Sequence, residues 1–446
     1  MNRWLIANAR LVNEGRVVET DIRIRHGRIE RIDSELTTRA GETMIDAGGR
    51  YVMPGMIDSQ VHFREPGLTR KGNIASESRA AVAGGITSYM EMPDTSPPTT
   101  TRQGLADKFS RAAGRSTANY SFYLGASKDN LEEVRATNAR EACALKVFMG
   151  SSAGDLLIDK PETLAGIFEH SPLMVVTHCE DTPTIERNLA AAIARYGKDI
   201  PALAHAEIRS HDACLKSTTL ALELARRHGT RLHVLHLTTA EEMALFDSGP
   251  VAGKQITGEV CIHHLYFIDE DYEALGNLIK CNPSIKTAAD RRALRRALRD
   301  DRMDLIATDH APHLLNEKTG SYEAAAAGLP LVQYALPAAW SLVASRVLTP
   351  ERLVEKTAHN PAIRFQLAER GFVREGYWAD LVMIDEHRRT IVDNQPMLSQ
   401  CGWTPFAGRK LPATVAATWV NGHLVWRDGL LTGVVPGQKL GFSRDC

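Results

Sequence analysis

The sequence lacks an excess of charge of either sign, which argues against a polyanionic partner. Its 446 residues include 53 Lys and Arg against 54 Asp and Glu, a formal net charge of -1 at pH 7. A protein that neutralises a nucleic-acid backbone needs an excess of basic residues. We therefore expect no nucleic acid among its partners.

Long apolar runs and paired cysteines are missing as well. No apolar stretch has the length that a bilayer crossing requires, and the segment from Met1 to Leu11 is too short and too polar for a signal peptide. The seven cysteines are scattered singly without a CxxC pair, which favours reduced thiols over a disulfide framework. These absences predict a cytoplasmic protein without a membrane partner.

The middle of the chain does contain apolar β-branched runs that alternate with helical patterns. This alternation is typical of βαβ units and a parallel sheet. The candidate strands end near His62, Asp94, Gly125, Phe148, His178, His236, His263 and Asp309. Eight strand–helix units over about 300 residues match the size of an α/β fold of the (β/α)8 TIM barrel type.

Both ends of the chain consist of short strand and turn patterns. Two β-rich ends around one long middle predict that the termini fold together into a small β-sandwich module. We expect residues 1–53 and 363–446 to form that module, and residues 54–362 to form the barrel.

Five of the predicted strand ends carry a side chain that is compatible with a metal ion: His62, Lys146, His178, His236 and Asp309. A TIM barrel has its active site at the C-terminal ends of its strands. A single histidine there is more often structural, but five such side chains on one rim are hard to explain by packing, because buried charges are costly unless paired or bound to metal. Imidazoles and carboxylates suit zinc and its neighbours.

Lysine is the unusual member of this set, because an ammonium group repels a cation. Lys146 fits a metal site if CO₂ carbamylates its amine, which gives a carboxylate that can bridge two metals. The alternative interpretation is an ordinary ion pair between Lys146 and Asp309.

Two long segments surround these residues, Pro54 to Gly67 (PGMIDSQVHFREPG) and Ala307 to His313 (ATDHAPH). They resemble the two signatures of the dihydroorotases in the amidohydrolase superfamily, and the resemblance extends over nearly the whole chain. It implies a barrel of the amidohydrolase type and a metal-dependent cyclic amidase. The implied reaction is the reversible hydrolysis of L-dihydroorotate to N-carbamoyl-L-aspartate in de novo pyrimidine (UMP) synthesis.

The resemblance also assigns roles to the metal-compatible residues. It implies that His62, Lys146 and Asp309 hold one metal, and that Lys146, His178 and His236 hold the other. Asp309 would also be the general base and acid, taking a proton from the attacking water and passing it to the leaving ring nitrogen.

Three further positions match residues that bind the substrate in this family: Arg64, Asn282 and His313. Arg64 and His313 would grip a carboxylate on a small-molecule substrate, and an arginine can do so with two parallel hydrogen bonds. The run from Arg64 to Gly67 favours dihydroorotate, since the related allantoinases usually carry Asn at the first of these positions.

Two positions depart from the family pattern. Gln60 replaces the first histidine of a His-x-His motif, and a carboxamide is a weaker donor for zinc. We therefore expect one Zn²⁺ to bind firmly and a second to be weak or absent. Asp94 stands where Asn usually contacts the substrate carboxylate, and its charge would repel the substrate unless it is protonated or turned toward Arg64.

These departures keep other interpretations open. One is an allantoinase- or hydantoinase-type cyclic amidohydrolase, and another is an inactive paralogue that serves as a partner of aspartate transcarbamoylase. We also expect a homodimer, the commonest oligomer of soluble proteins.

Three other histidines receive no ligand role. We interpret His310 as a neighbour that orients Asp309. His263 and His264 are left out, because adjacent residues of a strand face opposite sides.

Overall fold

The computed structural model describes residues 3–150, 154–392 and 396–444 of the chain. The described chain begins with a strand-rich segment. Its strands are β1 (Arg3–Asn13), β2 (Arg16–Arg25), β3 (Arg28–Asp33), β4 (Thr43–Asp46) and β5 (Tyr51–Pro54).

The next strands form the predicted barrel. They are β6 (Met56–Val61), β7 (Ile86–Glu91), β8 (Asn119–Phe122), β9 (Leu124–Gly125), β10 (Leu145–Phe148), β11 (Val175–His178), β12 (Leu232–Val234), β13 (Ile256–Cys261) and β14 (Leu305–Ala307). Strands β6 to β8 form one parallel sheet, and β9 to β14 form another. The His62 amide donates to the His310 carbonyl at 2.7 Å and joins β6 to the chain after β14. At the other edges of the two sheets, the Cys143 amide donates to the Phe122 carbonyl at 3.0 Å and joins the end of β8 to the chain just before β10.

Helices cover the outside of this barrel. They are α1 (Ile74–Ala83), α2 (Arg102–Ala112), α3 (Leu131–Arg135), α4 (Pro161–His170), α5 (Thr182–Tyr196), α6 (His205–Ile208), α7 (His211–His228), α8 (Ala240–Met243), α9 (Ile262–Tyr266), α10 (Asp271–Leu275), α11 (Ala288–Arg299), α12 (Ala335–Ala339), α13 (Ser341–Ala344), α14 (Pro350–Val354) and α15 (Asn360–Phe365). The longest, α7, begins after Ser210, whose side chain accepts from the Ala213 amide, and ends at Gly229 in the left-handed conformation. Among the helices of the described ranges, none combines the length and the hydropathy that a bilayer crossing demands.

The C-terminal strands return to the strands of the N-terminus. They are β15 (Leu381–Asp385), β16 (Thr390–Ile391), β17 (Lys410–Leu411), β18 (Thr414–Val420), β19 (His423–Arg427) and β20 (Leu430–Leu431). Strand β15 lies antiparallel to β5, which places strands from both termini in one nine-stranded sheet. Ile22, Ile24 and Trp419 are buried in the core of this sheet. The predicted fold class is thus confirmed, whereas the exact domain boundaries, 1–53 with 363–446 and 54–362, stay a prediction.

The barrel strands bring the predicted site residues to one rim. Strand β6 ends one residue before His62, and β11 ends at His178. Lys146 lies within β10, while His236 and Asp309 each follow two residues after the end of their strand. All residues of these strands are buried, as expected for a parallel sheet covered on both faces.

Candidate active site

A pocket of about 210 Å³ opens at the C-terminal ends of the barrel strands. It contains all the side chains that the sequence singles out for metal or substrate binding: Gln60, His62, Arg64, Asp94, Lys146, His178, His236, Asn282, Asp309 and His313. Gln60 and His313 therefore share one small cavity although they lie 253 positions apart in the sequence.

His178 and His236 face each other across this pocket. Nδ1 of His178 lies 2.9 Å from Nε2 of His236, while Nε2 of His178 lies 2.8 Å from the Glu180 carboxylate. A hydrogen bond from Nε2 to Glu180 leaves the lone pair of His178 on Nδ1, aimed at the facing imidazole. Two imidazole nitrogens this close, both turned into one cavity, could hold a single metal ion.

Glu180 holds the His178 ring in this orientation and is a residue that sequence reasoning missed. It is buried and also accepts a hydrogen bond from Arg209. Burial would raise the pKa of Glu180, but Arg209 and His178 outweigh it and hold that pKa at about 2. Burial lowers the pKa of His178, against the pull of Glu180. In the sequence, the position of Glu180 two residues after His178, at the same strand end, is the signal that could have identified this carboxylate.

Lys146 is buried beside these histidines, with Nζ 4.5 Å from the centre of the Phe148 ring. No carboxylate of the described residues lies within 4.0 Å of this Nζ, so the alternative ion pair with Asp309 does not form. Burial lowers the pKa of Lys146 to about 8, against the opposing charges of Asp309 and Asp94. At this pKa about a tenth of the amine is neutral at pH 7, far more than for an ordinary lysine with a pKa of ~10.4.

Asp309 instead contacts Gln60 and His62. Its Oδ1 accepts from Nε2 of Gln60 at 3.0 Å and lies 3.2 Å from Nε2 of His62. Nδ1 of His62 lies 2.7 Å from the Asp94 carboxylate. Burial would lower the pKa of His62, but Asp94 and Asp309 outweigh it and raise that pKa. One imidazole is thus held between two carboxylates.

Arg64 and His313 lie together in the pocket lining, and Lys71 contacts His313 while pairing with Glu317 at 3.3 Å. Nη2 of Arg64 lies 3.1 Å from Nε2 of His313, and Nζ of Lys71 donates to Nδ1 of His313 at 3.0 Å. Burial, followed by Arg64 and Lys71, lowers the pKa of His313 to about 2, so the ring is neutral. The Arg64 guanidinium beside this neutral imidazole can bind an anionic group of a ligand in the pocket. Lys71 lies in a loop with no motif of its own, and nothing in the sequence marked it.

Three residues of the pocket adopt a left-handed backbone that side chains other than glycine rarely adopt. The φ angles are 69° at Arg64, 37° at His236 and 51° at Asp309. Strain of this kind costs roughly 1–3 kcal/mol per residue and clusters at active sites. Its presence at three positions chosen from the sequence supports a functional rather than a structural role for them.

Two expectations about neighbouring histidines are wrong. The His310 ring hydrogen-bonds elsewhere than to the Asp309 carboxylate: its Nε2 lies 2.9 Å from Glu77, and its Nδ1 accepts from the Leu331 amide. His263 and His264 do not alternate on a strand, because the chain turns into α9 at Ile262. Their rings lie together, with centroids 4.0 Å apart.

The donor set of the pocket fits a divalent metal. The facing nitrogens of His178 and His236, the amine of Lys146 and the Asp309 carboxylate all line one cavity. Burying these polar and ionisable groups together costs free energy, and binding of a metal ion would compensate for that cost.

Known proteins share both the sequence and the fold. The amidohydrolase family model matches residues 51–425. The dihydroorotase of Halobacterium salinarum is 34% identical over 95% of this chain and 98% of its own length. The dihydroorotase of Geobacillus thermodenitrificans is 33% identical over 96% of this chain and 100% of its own length.

Solved structures agree on the architecture. The L-hydantoinase (dihydropyrimidinase) from Arthrobacter aurescens matches with a TM-score of 0.92 at 27% identity, over 99% of this chain and 100% of its own. The dihydropyrimidinase from Brevibacillus agri NCHU1002 shares the fold, with a TM-score of 0.89 at 22% identity, over 99% of this chain and 100% of its own.

Proposed function

This chain belongs to the amidohydrolase family, and from that membership we propose that it is a dihydroorotase. It hydrolyses the ring amide of L-dihydroorotate reversibly to N-carbamoyl-L-aspartate, a step of de novo pyrimidine synthesis. Dihydroorotases that are 30–34% identical over 95–96% of the chain support this activity. The solved hydantoinases support the wider class of cyclic-amide hydrolases.

The observation that carries the choice of substrate is the corner of the pocket that contains Arg64 and His313. Arg64 and Lys71 flank His313 there, as described, at 3.1 Å and 3.0 Å. Dihydroorotate carries a carboxylate that this corner can bind, whereas simple hydantoins and dihydrouracil are neutral. Asn282 lines the same pocket and is proposed as a further contact of the substrate.

We assign the firmly bound metal, proposed to be Zn²⁺, to Lys146, His178 and His236. The weaker position has His62, Lys146 and Asp309 as ligands, because Gln60 offers an amide where the family pattern has an imidazole. Bound zinc supplies a Lewis acid that lowers the pKa of water toward ~7 and polarises the ring carbonyl.

Carbamylation of Lys146 is part of the same proposal. The neutral amine attacks CO₂ and an N–C bond forms as one C=O π bond breaks and its electron pair moves to oxygen. A proton leaves the nitrogen to water, so that the product is an anionic carbamate. A pKa of about 8 keeps part of the amine neutral for this reaction. The carbamate oxygens then suit hard divalent cations, which an ammonium group would repel.

Asp309 moves the proton in the proposed reaction. Its carboxylate accepts the proton of the attacking water and passes it to the ring nitrogen as the amide bond breaks. Gln60 donates to Oδ1 of Asp309 at 3.0 Å and thereby fixes the orientation of this carboxylate. Glu180 fixes His178 in the same manner from the other side of the pocket.

The deciding experiment measures kcat/KM for dihydroorotate beside allantoin and dihydrouracil. We expect dihydroorotate to be the best substrate, and Asp309→Asn to lower its turnover by at least about 100-fold, the usual contribution of a positioned acid–base group. If allantoin or dihydrouracil is turned over faster, the enzyme is of the allantoinase or hydantoinase type. If the zinc-loaded protein hydrolyses none of these substrates, the favoured interpretation becomes an inactive paralogue that serves as a partner of aspartate transcarbamoylase.

We propose a cytoplasmic homodimer. The six described cysteines are all free and buried, which fits a reducing compartment. Light scattering of the purified chain tests the dimer, since a monomer of 49.1 kDa and its dimer differ twofold in mass.

A further inference from the structure

A second group of metal-ligating side chains lies next to the active site, and none of its members belongs to the ligands proposed above. It consists of Cys261, His263 and His264, which we call the Cys–His cluster. Cys261 is the last residue of β13, and the two histidines lie in α9, which begins at the next residue. One ligand atom from each lies within 4.8 Å of the other two, and all three side chains are buried.

The histidines of this cluster lack the hydrogen bonds that buried imidazoles normally make. His263 has the Thr308 backbone beside its ring but makes no hydrogen bond of normal geometry among the described residues, and Nδ1 of His264 makes none either. Nε2 of His264 donates to the Pro283 carbonyl at 3.0 Å, which leaves its lone pair on Nδ1. Because nearly all buried polar groups are satisfied, three unpartnered nitrogens here call for an explanation.

We propose that Cys261, His263 and His264 bind a zinc ion at a site separate from the proposed catalytic ligands. Thiolate and imidazole are the donors that zinc takes in structural sites. An ion would bind one nitrogen of each imidazole and so account for two of the three, while the second His263 nitrogen keeps its proton near the Thr308 backbone. The ion would also replace the proton of the Cys261 thiol, which leaves to solvent as the zinc–sulfur bond forms. The inference concerns metal binding alone and does not depend on the substrate proposed above.

Gln60 supplies the fourth donor of this site. Its Oε1 lies 3.7 Å from Sγ of Cys261, while its Nε2 donates to Asp309 at 3.0 Å. Structural zinc is almost always four-coordinate and tetrahedral, and one oxygen added to the sulfur and two nitrogens completes such a set. Gln60, which replaces an imidazole at the weaker catalytic metal position, would therefore be a ligand of the neighbouring Cys–His cluster.

This placement connects the Cys–His cluster to the catalytic carboxylate. An ion held by Oε1 would fix the Gln60 amide, and the same amide donates to Oδ1 of Asp309. Zinc at the cluster would then position Asp309 through Gln60 without touching the substrate.

X-ray absorption spectroscopy on the full-length wild-type protein, loaded with zinc and freed of excess ion, tests the site without any substitution. The proposed catalytic ligands contain no sulfur, so a sulfur neighbour at ~2.3 Å from zinc reports on the cluster. We expect this neighbour to be present. A zinc environment made of nitrogen and oxygen alone would overturn the proposal.

Two variants identify the cysteine. Cys261→Ser should lose the sulfur neighbour and about one equivalent of zinc per chain, whereas Cys214→Ser should keep both. Cys214 is a matched control, because it is also a buried cysteine but lies in α7 beside Thr238. Equal zinc content in wild type and Cys261→Ser would refute the site even if dihydroorotate were hydrolysed. Conversely, zinc–sulfur bonding in a protein that hydrolyses none of the tested amides would leave the site standing and remove the proposed function.

Discussion

The Asp94 carboxylate lies 2.7 Å from Nδ1 of His62 and 3.5 Å from Nη1 of Arg64. Burial would raise the pKa of Asp94, but His62 and Arg64 outweigh it and hold that pKa well below its usual range. The carboxylate is therefore ionised and turned toward Arg64. This orientation is one of the two ways, expected from the sequence, in which Asp94 could avoid repelling the substrate carboxylate. It also orients a histidine that is proposed to bind metal, a relationship seen around many metal sites.

Removing the charge of Asp94 tests its competition with the substrate for Arg64. Asp94→Asn should lower KM for dihydroorotate about 2- to 5-fold, because a partly exposed ion pair contributes up to ~1 kcal/mol. Steady-state kinetics measure the change, with the exposed Glu186→Gln as the control that should leave KM unaltered. An unchanged or higher KM for Asp94→Asn would show that Arg64 is not shared in this way.

Restoring an imidazole at position 60 tests the weaker metal position. Gln60→His should add about one equivalent of metal that survives dialysis against a mild chelator, because imidazole is a better zinc ligand than a carboxamide. Both proteins should carry Cys261→Ser, which removes the Cys–His cluster from the count. Metal analysis that finds the same content in Gln60→His as in its Gln60 parent would contradict the assignment.

The sequence predicts the barrel and its rim well because strand period and strand-end position are local features. The ends of β6, β10 and β11 fall at His62, Phe148 and His178 or within one residue of them, and the barrel then brings those ends together. Side-chain partners are harder to predict, since they depend on contacts between distant segments. Lys71 reaches His313 across 242 positions, and no local pattern encodes that contact.

The error at His263 and His264 has a different cause. A continuous apolar run leads into these residues, and its length alone does not reveal where a strand stops and a helix begins. The helix starts at Ile262, so both rings lie on the same turn instead of on opposite faces. The same local change of period produced the Cys–His cluster, which therefore could not be predicted from strand alternation.

Substitution of Arg64 tests whether the substrate carboxylate determines specificity. Arg64→Met should raise KM for dihydroorotate by about 10- to 100-fold, as expected for loss of a charged hydrogen bond worth ~1.5–3 kcal/mol. The rate with neutral dihydrouracil, however slow, should change far less, so the ratio of the two kcat/KM values is the quantity to measure. Equal losses with both substrates would mean that Arg64 supports the pocket rather than the carboxylate.

Glu180 offers a test of the firmly bound metal. Glu180→Gln removes the charge that faces Nε2 of His178 and leaves Arg209 without its buried partner. Loss of such an orienting carboxylate typically weakens metal binding 10- to 100-fold. Competition with a chromogenic chelator measures the affinity, and the exposed Glu186→Gln serves again as the control. Unaltered zinc affinity would show that Glu180 does not hold the ligand in place.

Asp290 links α11 to α7 and gives the fold a pH dependence that is separate from the metal site. Its Oδ2 accepts from His211 at 2.9 Å and from the Thr287 hydroxyl at 2.6 Å, and its Oδ1 accepts from the Ala240 amide at 2.9 Å. Burial would raise the pKa of Asp290, but the hydrogen bonds from His211 and Thr287 outweigh it and hold the pKa at about 2.

A folded pKa below the unfolded value of ~3.9 means that Asp290 stabilises the fold above pH ~4 and that this stability is lost as the pH falls toward 2. The same contact raises the pKa of His211. The stability that His211 contributes to the fold is therefore present below pH ~6.5 and is lost as the pH rises through its pKa in the folded protein. Asp290→Asn should therefore lower Tm most near pH 5 and much less near pH 2.5. Asp212→Asn, at an exposed position at the start of α7, should have little effect at either pH. A Tm difference between wild type and Asp290→Asn that stays constant from pH 5 to pH 2.5 would show that the carboxylate contributes no charge-dependent stability.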